Sequence, residues 1–150
     1  MVADILGGLM TVEAGWQLRL VFDSAALVLI WLVQLVIYPS FLYMDKQDFL
    51  VWHPIYTRKV TWVVMPIMLG QLVIYGVLLV NSPSPDLWMN TALVGLAWLI
   101  TFVYAVPLHM TIEQANQPKR KAAKLVTINW YRTAIWTAIF LVDIWVLLIE

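Results

Sequence analysis

Four apolar stretches run along the chain at positions 25–38, 60–80, 87–110 and 125–149, separated by short polar intervals. The stretches are continuous. A barrel strand would instead alternate apolar and polar residues over about 10 positions. About 20 residues of helix cross a bilayer core. The last three stretches reach that length alone. The first reaches it if its helix begins near Leu20 or runs through Pro39 to about Met44. The pattern predicts an all-α polytopic membrane protein, one domain over residues 1–150, with spans at about 22–44, 54–80, 87–112 and 123–149. Short connections join neighbouring helices, so the expected architecture is an antiparallel four-helix bundle. The two halves show no internal repeat of the kind seen in inverted-repeat transporters. Ahead of the first span, Ile5, Leu6, Leu9, Met10 and Trp16 predict a short interfacial helix. Asp4, Glu13 and the lack of a basic start argue against a secretory signal.

Composition agrees with the pattern. The chain is 63% hydrophobic and 12% charged, whereas a soluble domain is about a quarter charged. Cysteine is absent, which excludes a disulfide framework and thiolate metal sites.

Charge adds an orientation. Eight of the nine basic residues lie in or beside the first and third connections; only Arg19 does not. With Asp45, Asp48 and Glu113 that side carries +5, and the opposite side carries −5. The positive-inside rule then places both termini outside the cytoplasm in a cytoplasmic (inner) membrane. The basic stretch "QPKRKAAK" is explained by topology and anionic lipid; nucleic acid is not an expected partner. The lipid bilayer is, with a membrane complex or a second copy as further candidates.

The stretch "NWYRTAIWTAIFLVDIW" holds Asn129, Arg132 and Asp143 inside a span. A charge at the centre of a membrane helix costs about 2.5–3.5 kcal/mol on insertion scales. At 100° per residue, Asn129, Arg132, Trp136 and Asp143 fall within about 60° of one another. The stripe is therefore expected to face protein. At the depth of Arg132, His53 and Tyr56 share a face of the second helix, and His109 and Glu113 share one of the third. With Arg58 these residues predict a cytoplasmic-side pocket of His53, Tyr56, Arg58, His109, Glu113, Asn129 and Arg132, in which Arg132 reaches Glu113. Asp23, Asn90 and Asp143 form a separate, structural cluster near the outer end.

Three chemistries suit such a set. Two imidazoles would ligate a haem iron. With Glu113 they would hold copper or zinc, making His53 and His109 the candidate metal ligands. Without a metal, the arginines and histidines would hold an anionic or quinone-like head group, with histidine supplying a proton near neutral pH. A redox or oxygenase-type enzyme is one elaboration. Two other classes compete: a structural or accessory subunit of a larger membrane complex, and a small transporter.

The stretches "QLVIYPSF", "FLVWHPIYTRKVTWVVMPIML", "VPLHMTIEQ" and "LVTINWYRTAIWTA" resemble an uncharacterised family of bacterial four-helix integral membrane proteins. Its pattern has a YP motif closing the first helix and an H-x-x-x-T-R-like segment opening the second. VP-x-H closes the third, and N-W-x-R-T opens the fourth. The resemblance spans roughly residues 33 to 137. It implies the four-helix architecture and matches at His53, Arg58, His109, Asn129 and Arg132, without implying an activity. Pro54 departs from the pattern and disfavours helical geometry at His53. In layout alone, the chain is similar to anthrone oxygenase-like and CopD-like membrane proteins.

Overall fold

A computed structural model describes residues 12–149. Four helices, each long and apolar enough to cross a membrane, make up the fold: α1 (Glu13–Tyr43), α2 (Lys46–Asn81), α3 (Pro85–Ile112) and α4 (Pro118–Ile149). The all-α four-helix bundle expected from the apolar stretches is present. Residues Ile5 to Met10 of the expected interfacial segment lie outside the described residues, and Trp16 belongs to α1.

All four spans begin earlier than expected, at Glu13, Lys46, Pro85 and Pro118. Hydropathy marks only the lipid-facing part of a helix. Arg19 and Asp23 are 2% and 0% exposed inside α1 because the bundle supplies their partners. His53 is helical despite Pro54, which stands within α2 with Pro66. The expected departure from helix at His53 is therefore overridden by packing. Pro85 opens α3 and Pro118 opens α4. A missing N–H costs nothing in the first turn, where it has no intrahelical acceptor.

Two prolines farther along leave a different mark. Val33–Ile37 in α1 and Thr101–Ala105 in α3 are π-helical turns. Each ends two residues before a proline, Pro39 and Pro107 respectively. Proline removes one donor and its ring clashes with the carbonyl four residues back. The chain opens the turn: the Tyr38 N–H bonds to Val33 O and the Val106 N–H to Thr101 O. Such widened turns are often found at functional sites.

Connections at 44–45, 82–84 and 113–117 make the helices antiparallel. The first and third connections lie at one end of the bundle, the loop end; the opposite end is the terminal end. Helix α1 packs between α2 and α4, and α3 packs along α4. Helices α2 and α3 pack through Pro85–Ile100; beyond Thr101 their backbones part, and side chains bridge them again at the loop end. The core has two apolar clusters. One lies towards the terminal end around Ile74, Leu78, Leu87 and Ile139, and one at the loop end around Phe41, Phe49, Ile112 and Leu125. Large apolar side chains such as Val28, Trp62, Val80 and Leu99 face outward, as lipid requires.

Candidate functional site

The parting of α2 from α3 leaves a cavity of about 330 Å³, within the range of small-molecule sites. Its walls are mainly apolar: Val60, Val64 and Met65 from α2, Phe102 and Val106 from α3. Its polar end is made by Tyr38, Tyr56, His109 and Arg132, with Trp136 beside them. Both π turns bear on it, since Val33 and Thr101 also line it.

From that polar end a hydrogen-bonded row runs to the loop end. The Tyr38 hydroxyl lies 2.9 Å from His109 Nε2. His109 Nδ1 lies 2.9 Å from His53 Nε2, and His53 Nδ1 lies 2.8 Å from Glu113 Oε1. His53 is fully buried, while the Glu113 side chain is 38% exposed. The row therefore joins an interior cavity to a carboxylate that reaches solvent. The two imidazoles stack with centroids 5.1 Å apart. Tyr56 packs against Phe41 at 5.2 Å and holds the same layer together.

Arg132 sits on the other side of the row. It is 6% exposed and lies beside the Tyr38 hydroxyl. Its Nη1 donates to Asn129 Oδ1 at 3.0 Å, and its guanidinium covers the Trp136 ring at 5.1 Å. Asn129 in turn donates to Gln34 Oε1 at 2.9 Å. No carboxylate among the described residues pairs with Arg132, and its buried Nε has no partner. Leaving a buried donor unsatisfied costs about 1–3 kcal/mol. A cation with no carboxylate partner thus borders an apolar cavity.

The structure brings together six of the seven expected site residues. Arg58 is the exception: it is exposed, because two residues after the buried Tyr56 a helix has turned about 200°. The expected Arg132–Glu113 contact is absent. Two imidazoles and a phenol stand between them, and Glu113 bonds to His53 instead. Asn129 does not line the cavity; it holds Arg132. Tyr38 is a site residue that the sequence pattern does not single out, although it stands in the "YP" motif beside the proline that reshapes its helix.

A tetrahedral metal such as zinc does not fit the histidine pair as arranged. Two nitrogens sharing one ion sit more than about 3 Å apart, given bonds of ~2.0–2.1 Å at tetrahedral or wider angles. The facing nitrogens are 2.9 Å apart, and the outer two are bonded to Glu113 and Tyr38. Among the described residues, no group of three or more His, Cys, Asp or Glu is placed to hold a metal ion. The same closeness leaves no space for an axially held haem iron.

A second polar cluster occupies the terminal end. Arg19 meets Asp86 at 3.2 Å and Asp23 at 3.9 Å, and also pairs with Asp143. Asn90 donates to Asp143 at 2.9 Å. Tyr75 donates to Asp23 at 2.7 Å, and Gln71 donates to its other oxygen. The expected grouping of Asp23, Asn90 and Asp143 is present, centred on an arginine that hydropathy had placed outside the span. Trp136 Nε1 donates to Gln71 Oε1 at 3.3 Å and links the two polar layers.

No protein-family model matches this chain, and comparisons with curated proteins and with solved structures return no similar protein.

Proposed function

We propose that this is a ligand-binding protein of the cytoplasmic membrane. It takes a lipid-soluble small molecule with an apolar body and an anionic or quinone-like oxygen head into the cavity between α2 and α3. The observation that carries the reading is the buried Arg132 guanidinium, paired with no carboxylate among the described residues, at the cavity's polar end. An anionic or polarised oxygen there would compensate that charge, and the apolar walls would replace lipid around the body. The cavity lies within the apolar stretches of α2 and α3, between Tyr56–Met68 and Thr101–His109, so entry would be lateral, from lipid. Tyr38 and Tyr56 add hydroxyl donors. The charge asymmetry supports a cytoplasmic loop end and outward termini. A relation to the uncharacterised four-helix family belongs to the same reading. In its support, the YP, VP-x-H and N-W-x-R-T stretches contribute Tyr38, His109, Asn129 and Arg132 to one layer.

The test uses a short-chain naphthoquinone as probe and the purified protein in detergent micelles. Trp136 borders the cavity, so binding should quench tryptophan fluorescence saturably. Arg132→Met should abolish the saturable component. Equal quenching of parent and variant, or none in either, would remove the reading and favour a structural subunit whose polar layer only joins helices.

A further inference from the structure

We propose that Glu113, His53, His109 and Tyr38 form a proton relay between loop-end water and the cavity. The ligand class is thereby narrowed to molecules whose head oxygen gains or loses a proton, as a phenol, hydroquinone or carboxylic acid does. This deepens the proposed ligand-binding function and rests on it for the ligand. The relay itself is a property of the unliganded protein.

The inference comes from how the donors and acceptors can be filled. Each neutral imidazole has one N–H and one bare nitrogen. Both nitrogens of both rings face a partner, and each end of the row is a group that can hold or release a proton. Two consistent fillings exist. In one, Tyr38 O–H donates to His109 Nε2, His109 Nδ1–H donates to His53 Nε2, and His53 Nδ1–H donates to the Glu113 carboxylate. In the other, Glu113 is a carboxylic acid donating to His53 Nδ1. Then His53 Nε2–H donates to His109 Nδ1, His109 Nε2–H donates to the Tyr38 oxygen, and the Tyr38 hydrogen is free to point into the cavity.

Passage from the second filling to the first moves one proton and no electrons. Tyr38 gives its hydrogen to the ligand oxygen and takes one from His109 Nε2. His109 Nδ1 takes one from His53 Nε2, and His53 Nδ1 takes one from Glu113. The ligand has gained a proton, Glu113 has become a carboxylate, and both imidazoles are neutral throughout. Water then reprotonates Glu113, whose side chain is partly exposed, and both imidazoles must return their hydrogen from Nδ1 to Nε2, by ring flip or exchange with water, before the next proton passes inward. The reverse sequence carries a proton out. The charged and titratable groups facing the histidines are Glu113 from the end of α3, Tyr38 from α1, Tyr56 from α2 and Arg132 from α4. The Arg132 charge favours the moment at which the proton leaves Tyr38.

The path stops at the cavity. Beyond Tyr38 the described polar contacts continue through Arg132 and Trp136. A guanidinium does not release its proton in a protein, and an indole N–H only donates. Protons therefore reach the cavity from the loop end and not from the Arg19 cluster.

The chain has two histidines, so labelling histidine with nitrogen-15 isolates the relay. Imidazole N–H exchange with water is measured by NMR in micelles, without added ligand. Glu113→Gln keeps an acceptor for His53 but cannot pass a proton. It should slow exchange at both rings by at least about 10²-fold, the lower end of what a positioned acid–base group contributes. Glu113→Asp, which retains a titratable group, should restore most of the rate and guards against a folding defect in the glutamine variant. Tyr38→Phe should leave exchange at His53 unchanged, since it removes only the cavity terminus. Unchanged exchange in Glu113→Gln would overturn the relay, because water would then be reaching the rings by another route. Failure of naphthoquinone quenching with slowed exchange in Glu113→Gln would discard the ligand reading while leaving the relay standing.

Discussion

The two buried arginines should respond very unequally to loss of charge. Arg19 is surrounded by three carboxylates, of which Asp23 and Asp143 are buried. Arg19→Met leaves those acids together with no cation. Removing one partner of a buried pair costs about 3–5 kcal/mol, or roughly 10² to 4 × 10³ in the folding constant at 1.4 kcal/mol per decade. Arg132 has only neutral partners. Its insertion cost of about 2.5–3.5 kcal/mol is offset by one hydrogen bond from a charged donor, about 1.5–3 kcal/mol. The cation–π contact with Trp136 contributes about 0.5–2 kcal/mol. The difference between these terms spans about −1.5 to +2.5 kcal/mol, so Arg132→Met should change stability by no more than about 2.5 kcal/mol while abolishing probe binding. An Arg132–Glu113 pair, as the spacing of the sequence suggested, would have made the loss several kcal/mol. The assay is equilibrium unfolding in mixed micelles with increasing SDS, monitored by circular dichroism. Asp143→Asn added to Arg19→Met should recover part of the loss, because it removes one stranded charge. Arg132→Met losing more than about 3 kcal/mol, or Arg19→Met losing less than about 1, would refute this charge assignment.

Other contacts carry predictions of their own. Single cysteines at Ser84 and Lys121 in this cysteine-free chain should react with an impermeant maleimide from opposite sides of the membrane, Ser84 from outside; labelling from one side would end the four-span topology. Gly70→Ala should destabilise by about 1–3 kcal/mol in the same unfolding assay, since an added Cβ would stand 2.2 Å from the Phe22 ring; no loss would show that the Phe22 ring swings aside. Tyr75→Phe removes one of the donors to buried Asp23 and should cost about 1–3 kcal/mol, measured against Tyr43→Phe, an exposed tyrosine, as the neutral control.

Much of the architecture was legible without coordinates. The number of spans derives from the length of each apolar run, a local property that lipid imposes on every crossing helix. The burial of Asn129, Arg132, Trp136 and Asp143 on one side of α4 derives from 100° per residue, which holds where the helix is uninterrupted. The same rule placed His53 with Tyr56 and His109 with Glu113. The partners were decided by tertiary structure, because heights and rotations across four helices depend on packing that no single helix encodes. Glu113 meets His53 rather than Arg132 for that reason, and Arg19 is drawn into the bundle by carboxylates contributed from α1, α3 and α4. The π turns at Val33–Ile37 and Thr101–Ala105 change the phase of α1 and α3, so a uniform helical wheel misplaces the residues C-terminal to them. Tyr38 and His109 both lie beyond such a turn, and their meeting at the cavity is the part of the site that only the folded chain could create.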